Sequence, residues 1–164
     1  MNEKQKVNCA VALGSNLGDC QETIKQAILQ LEKVPEITID AVSSWYETRP
    51  IGPSQPNYIN GCILLTTNLS PFELLDILLT TETNFGRVRQ ERWGARTLDL
   101  DLILYGDLVL DTPRLKLPHP RMREREFVLV PLAEIASHWI DPITKNSIAQ
   151  LKNKIDCSGI LQKL

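Results

Sequence analysis

An α+β fold built around an antiparallel sheet is what three features of the sequence predict. Strand-like apolar runs and two capped helical segments follow one another in the order β-α-β-β-α-β. The stretch Leu98 to Tyr105 (LDLDLILY) alternates with a period of two, as a half-buried strand does. The second and third extended runs are joined by a loop of prolines and glycine, so they are expected to pair antiparallel.

Taken in order, Val7 to Leu13 (VNCAVAL) reads as a buried strand, ended by Gly14-Ser15-Asn16-Leu17-Gly18. Asp19 then caps a helix with Glu22 at its third position, and Ile24, Ala27, Ile28 and Leu31 recur at helical spacing until Pro35. Ile37 to Tyr46 is the second strand. Thr48 to Pro56 carries three prolines and a glycine and must be a loop. Tyr58 to Thr67 is the third strand. Ser70-Pro71-Phe72-Glu73 starts a second helix, with serine as cap, proline at the first position and glutamate at the third, and Leu74, Leu75, Leu78 and Leu79 form its apolar face. Gly86 to Thr97 (GRVRQERWGART) reads as a charged, mobile loop. In the strand that follows, Leu98, Leu100, Leu102 and Leu104 face one way, and Asp99, Asp101, Ile103 and Tyr105 the other. Beyond it come a turn at Pro118-His119-Pro120, a helix over Glu124 to Val130, a further helical run opened by Pro131, and a last helix over Ser147 to Ile155.

That order is the ferredoxin-like one, both helices lying on one face of the sheet, with extra helices and short strands at the C-terminal end. The leucine face of the last core strand packs under the helices, and the aspartate face looks toward the open side. A length of 164 residues fits one domain, 1–164. A net charge of −2 and a pI near 5.7 argue against a protein that grips nucleic acid by bulk charge. There is no basic-then-apolar leader and no run near the ~20 apolar residues of a membrane span. Cys9, Cys20, Cys62 and Cys157 are scattered, which suits free thiols in a reducing compartment. The expected location is the cytoplasm, and the expected state a monomer.

Charge is distributed unevenly. All nine arginines lie between Arg49 and Arg125, a span that holds a single lysine, Lys116. Guanidinium groups grip phosphate as planar forks, so an arginine-rich middle in an acidic chain points to a local anion site. Directly after Arg87, Arg89, Arg92 and Arg96 comes Asp99-Leu100-Asp101. Residues two apart on a strand share a face about 6.6 Å apart at a rise of ~3.3 Å per residue. Two carboxylates so placed repel unless a cation or water intervenes. Acids for Mg²⁺ beside guanidiniums for phosphate resemble a metal–nucleotide site; the plainer alternative is a solvated strand face. Trp93 either anchors its polar loop or closes over a flat ligand. His119 either bonds a phosphate or ribose or serves the turn. His138 carries no motif. Gly14 to Gly18 lacks the spacing of a phosphate loop or a dinucleotide fingerprint and is explained as a turn and cap.

Several spaced motifs together carry a resemblance. Arg92-Trp93-Gly94-Ala95-Arg96-Thr97-Leu98-Asp99-Leu100-Asp101-Leu102-Ile103 resembles the signature of the 6-hydroxymethyl-7,8-dihydropterin pyrophosphokinases, with Ala95 where most members have proline. Leu13 to Gly18, Thr48 to Gly52, Tyr58-Ile59-Asn60, Gly86 to Arg89 and Pro118 to Met122 fall in that family's order, over roughly Val7 to Ala136. The resemblance implies an Mg²⁺-dependent diphosphotransferase of folate biosynthesis that uses ATP as co-substrate. Asp99 and Asp101 would hold two Mg²⁺ ions. Arg87 and Arg96 would grip phosphate, and Arg89 and Trp93 would sit on a catalytic loop. Glu82, Arg114, His119 and Arg125 would belong to the nucleotide site. Tyr58 and Phe127 would sandwich the pterin ring, whose polar edge would meet Asn60 and the backbone at Thr48 and Ile51.

Three other readings compete with this one. An RNA-binding module would need a basic sheet with exposed aromatics, which the acidic pI and the aspartates oppose. A nucleotide-binding regulatory domain would show no Mg²⁺-dependent turnover. A metal nuclease would need a base and a nucleic-acid surface that the sequence lacks.

Overall fold

The computed structural model describes residues 5–50, 55–85 and 98–164. The elements are β1 (Val7–Ser15), α1 (Cys20–Glu32), β2 (Ile37–Val42), β3 (Tyr46–Thr48), β4 (Tyr58–Thr67), α2 (Pro71–Asn84), β5 (Asp99–Tyr105), β6 (Leu110–Asp111), β7 (Lys116–Leu117), α3 (Glu126–Ala136), α4 (Ile148–Asn153) and β8 (Ile160–Lys163). The main sheet runs β5-β1-β4-β3-β8, with β2 also paired to β4, and every pairing is antiparallel. With β2 and β3 taken as one interrupted strand, β1 through β5 reproduce the ferredoxin-like β-α-β-β-α-β order expected from the sequence.

Local chemistry explains the two core helices. The Asp19 side chain accepts the Glu22 N–H at 3.3 Å. Ser70 and Glu73 complete a reciprocal capping box on α2. Ile24, Ala27, Ile28 and Leu31 of α1, with Leu74 and Leu78 of α2, are buried against one sheet face that presents Cys9, Val11, Leu13, Ile63, Leu65, Leu98, Leu100 and Leu102.

The opposite face is not open along its length. Ala10, Ala12, Cys62, Leu64, Ile103 and Leu104 are sealed there by Met122, by Val128, Leu129 and Leu132 of α3, and by Ile148 and Leu151 of α4. Gly14, Asn60 and Asp99 lie beyond this second core, and Asp101 sits at its border, in the row of Ala12 and Cys62.

Four expectations change. Leu104 and Tyr105 exchange sides, because Val11 pairs with Leu102 and Ala10 with Leu104, so Ile103 is an extra residue in β5. This β-bulge puts Ile103 and Leu104 together in the second core and turns Tyr105 toward the first. The second strand is broken between Val42 and Tyr46. There the Ser43 hydroxyl accepts the Cys62 N–H at 2.9 Å, and Gly61 leaves room for the Trp45 ring. Pro131 opens no new helix; it lies buried inside α3, where packing of the flanking apolar residues outweighs one missing backbone bond. Finally, Ile160–Lys163 adds a strand, β8, beside β3.

Candidate active site

Three adjacent strands form the floor. Gly14 of β1 pairs with Asn60 of β4 on one side and Asp99 of β5 on the other. The next row on the same face is Cys62, Ala12 and Asp101. Two strand spacings of about 4.8 Å place Asn60 and Asp99 about 10 Å apart. Position 14 has no side chain, and the Asn60 amide takes up the space that a Cβ would need. A Cβ there would lie 2.6 Å from Asn60 Oδ1 and 3.5 Å from the Tyr58 ring.

On the β4 side the polar groups are fixed. Asn60 is buried, and its Nδ2 donates to Thr48 Oγ1 at 2.6 Å. Thr48 pairs with Tyr58, whose ring is half-buried on the Asn60 face. Phe127, at the start of α3, packs against the second core, with the Arg125 guanidinium 5.4 Å from its ring centre. Thr48, Tyr58 and Asn60 are thus brought together, and Phe127 sits on the helix that covers the same face. Ile51 lies outside the described residues.

On the β5 side Asp99 and Asp101 are half-buried and share a face. Two hard oxygen donors at this spacing fit a divalent cation such as Mg²⁺, with water and phosphate oxygens completing the shell. Glu82 approaches β5 from α2. It is buried, and its Oε2 accepts the Leu100 N–H at 2.7 Å, between the two aspartates. His119 donates its backbone N–H to Ile103 O at 2.9 Å, and its Nδ1 accepts the Arg121 N–H at 3.2 Å. Burial first, then the charges of Arg125 and Arg121, push its pKa down to about 4, so the imidazole is neutral at pH 7. Arg114 lies on the flank of α2, paired with Asp76, its guanidinium 5.7 Å from the Phe72 ring centre. Arg87, Arg89, Trp93 and Arg96 lie outside the described residues.

Two supports were not singled out in the sequence. Asn16 is buried, and its Nδ2 donates to Gln55 Oε1 at 2.9 Å and Pro56 O at 3.0 Å, tying the end of β1 to the segment before β4. Its only sequence signal was an asparagine inside a turn. Asp141 is fully buried and accepts from Arg123 Nε at 2.5 Å and from Thr144 at 2.8 Å, anchoring the segment that follows His119. Nothing local marked that partnership, since 18 residues separate the pair.

Comparison with known proteins identifies the family and the fold. Residues 10–137 match the family model described as 7,8-dihydro-6-hydroxymethylpterin-pyrophosphokinase (HPPK). A 2-amino-4-hydroxy-6-hydroxymethyldihydropteridine pyrophosphokinase of Synechocystis is 52% identical over 150 residues, covering 92% of this chain and 77% of the relative. One of Pseudomonas aeruginosa is 52% identical over 127 residues, covering 77% and 78%. The crystal structure of Plasmodium falciparum HPPK-DHPS with pteroate shares the fold, at a TM-score of 0.72 and 14% identity; the match covers 94% of this chain and 43% of that one. No helix among the described residues is long and apolar enough to cross a membrane. With the family model spanning more than half of its length, the chain belongs to the 7,8-dihydro-6-hydroxymethylpterin-pyrophosphokinase family.

Proposed function

We propose that this chain transfers pyrophosphate from ATP to the hydroxymethyl group of 6-hydroxymethyl-7,8-dihydropterin, giving AMP and the pterin diphosphate for folate biosynthesis. The observation that carries the proposal is the Asn60–Gly14–Asp99 row, a flat floor with an amide edge at one end and a carboxylate pair at the other. A pterin is a flat heterocycle with a donor–acceptor edge, and Asn60 offers an amide in such a plane while Tyr58 and Phe127 offer aromatic faces. The backbone at Thr48 and Ile51 extends that edge.

Two Mg²⁺ ions are assigned to Asp99 and Asp101. When bound, they would neutralise charge on the triphosphate. His119 and Arg125 would take the nucleotide, with Glu82 and Arg114 on its α2 flank. Arg87 and Arg96 would grip phosphate, and Arg89 and Trp93 would complete the catalytic set. The pterin hydroxymethyl oxygen attacks the β-phosphorus, and the bond from that phosphorus to the α,β-bridging oxygen breaks. Pyrophosphate moves as one unit, AMP leaves with the bridging oxygen, and the hydroxyl proton passes to solvent. Phosphoryl-type transfer depends chiefly on positioning and charge neutralisation, so a site that holds both substrates over one rigid floor suffices without a dedicated base. The chain acts as one domain over 1–164, as a monomer, in the cytoplasm.

The test is an end-point assay with ATP, Mg²⁺ and the pterin, followed by separation of nucleotides. AMP that forms only when both pterin and Mg²⁺ are present is the expected result. ADP would mean transfer of a single phosphoryl group and would overturn the β-phosphorus mechanism.

A further inference from the structure

The strand that carries Thr48 has β4 on one side and β8 on the other. β8 pairs with β3 through Tyr46 with Lys163, Glu47 with Gln162 and Thr48 with Ile160. The ladder runs past β3 at both ends. Leu164 N–H donates to Trp45 O at 2.8 Å, and Arg49 N–H donates to Gly159 O at 2.9 Å.

Successive residues of a strand turn their backbone groups to opposite neighbours. Positions 45 and 49 bond the β8 segment, so Glu47, midway between them, turns its N–H and C=O to Gln162. Tyr46 and Thr48 turn theirs to β4. β3 is only three residues long, and β8 takes the backbone groups of its middle residue and of both flanking ones. Without β8, so short a strand would be an edge held from one side. Its two ends are anchored differently. At the first, Glu134 of α3 accepts the Ser44 N–H at 2.9 Å and the Tyr46 hydroxyl at 2.6 Å. At the other, the Arg49–Gly159 bond follows directly on Thr48, whose Oγ1 accepts from Asn60. None of the four β8 residues belongs to either hydrophobic core, so β8 can loosen while both cores stay covered.

We infer that β8 is a positioning element for pterin binding: its backbone bonds to Trp45, Glu47 and Arg49 hold Thr48 where it fixes the Asn60 amide. The inference rests on the proposed assignment of Thr48 and Asn60 to the pterin. Loosening β8 frees the Thr48 end of β3, and a shift of about 1 Å in a positioning group can cost up to 10²-fold.

The experiment places proline at neighbouring positions of β8 in the full chain. Leu164 and Gln162 face β3, so the Lys163 N–H faces away from it, where an edge strand tolerates proline. Steady-state kinetics with each substrate varied are read beside amide hydrogen exchange. Gln162→Pro is expected to raise the pterin KM about tenfold, with the ATP KM and kcat within about twofold. Exchange should quicken at Glu47 and Arg49 while Val11 and Leu65 keep their protection. Lys163→Pro should stay within about twofold for both substrates. So should Gln162→Ala, which loses the side-chain bond to Glu47 Oε1 at 3.1 Å but keeps the ladder. An unchanged pterin KM in Gln162→Pro overturns the inference. So does an equal rise in Lys163→Pro, or a parallel loss for both substrates with protection lost at Val11 and Leu65. Asn60→Ala in the same assays separates the layers. If it raises the pterin KM and Gln162→Pro does not, only the role of β8 fails; if it leaves the pterin KM unmoved, the slot assignment itself is wrong.

Discussion

Glu82 reaches from α2 to the edge strand of the sheet and accepts the N–H of Leu100, the residue between the two aspartates. An edge strand carries backbone donors with no neighbouring strand to take them. A buried carboxylate supplies the acceptor here, and it fixes the stretch of β5 that presents Asp99 and Asp101. Glu82→Gln keeps an acceptor for Leu100. Glu82→Ala leaves a buried N–H unsatisfied, at a cost of about 1–3 kcal/mol. Urea unfolding should register that loss, and the Mg²⁺ activation midpoint should rise in Glu82→Ala. A variant as stable as the parent would show that the bond contributes nothing.

Removing either aspartate should separate activity from stability. Asp99→Ala or Asp101→Ala is expected to lower kcat by about 10³-fold or more, the scale of several kcal/mol of lost charge stabilisation. Both variants should still fold and melt cooperatively, so that the loss is one of turnover. Chelation of the parent protein should stop turnover, and added Mg²⁺ should restore it. Near-parental rates in both variants would sink the metal assignment.

His119 should titrate far from an ordinary histidine. Its folded pKa of about 4 lies below the unbound value of 6.5, because burial and the charges of Arg125 and Arg121 disfavour the cation. A depressed pKa contributes stability that is complete above about 6.5 and is lost as pH falls toward 4. NMR of the imidazole should show a midpoint near 4, and His119→Gln should flatten the stability profile between those values. A midpoint near 6.5 would refute the packing described around the ring.

A second, more acidic transition should come from Asp141. Burial opposes its charge, but hydrogen bonds from Arg123, Ile143 and Thr144, with the Arg123 charge, outweigh that and hold the pKa at about 2. The sign matches that of His119: stability is complete above the ordinary value of 3.8 and is lost as pH falls through about 2. The contribution is roughly 2 kcal/mol by linkage. Asp141→Asn should lower the urea midpoint at pH 7 by more than at pH 2.5; equal losses at both pH values would contradict it.

Much of this was legible in the residues because it is local. The Ser70–Glu73 capping box, the helical recurrence of Ile24, Ala27, Ile28 and Leu31, and the bounds of β4 all follow from neighbours within a few positions. The common face of Asp99 and Asp101 follows from the two-residue period of a strand. What stayed hidden depends on partners distant in the chain. The break after Val42 needs Gly61 and Cys62 across the ladder. The passage of α3 through Pro131 is decided by the sheet beneath it, not by local propensity. β8 is four residues long, carries one buried-facing side chain at most, and exists because β3 offers an edge. The carboxylate pair was legible as chemistry, but Asn16 and Asp141 act through contacts that no short motif encodes.

The extra residue at Ile103 gives β5 two independent registers along one strand. Ahead of it, alternation sets Asp99 and Asp101 on one face with Leu100 and Leu102 on the other; after it, Leu104 joins Ile103 under α3. The two halves can therefore diverge separately. Substitutions that retune the carboxylate end need no compensating change under α3, and the seal beneath α3 can drift in sequence while the carboxylates stay in place. A single-residue deletion at the bulge would couple them again, so tolerance of insertions and deletions in this strand should be far lower than tolerance of substitutions.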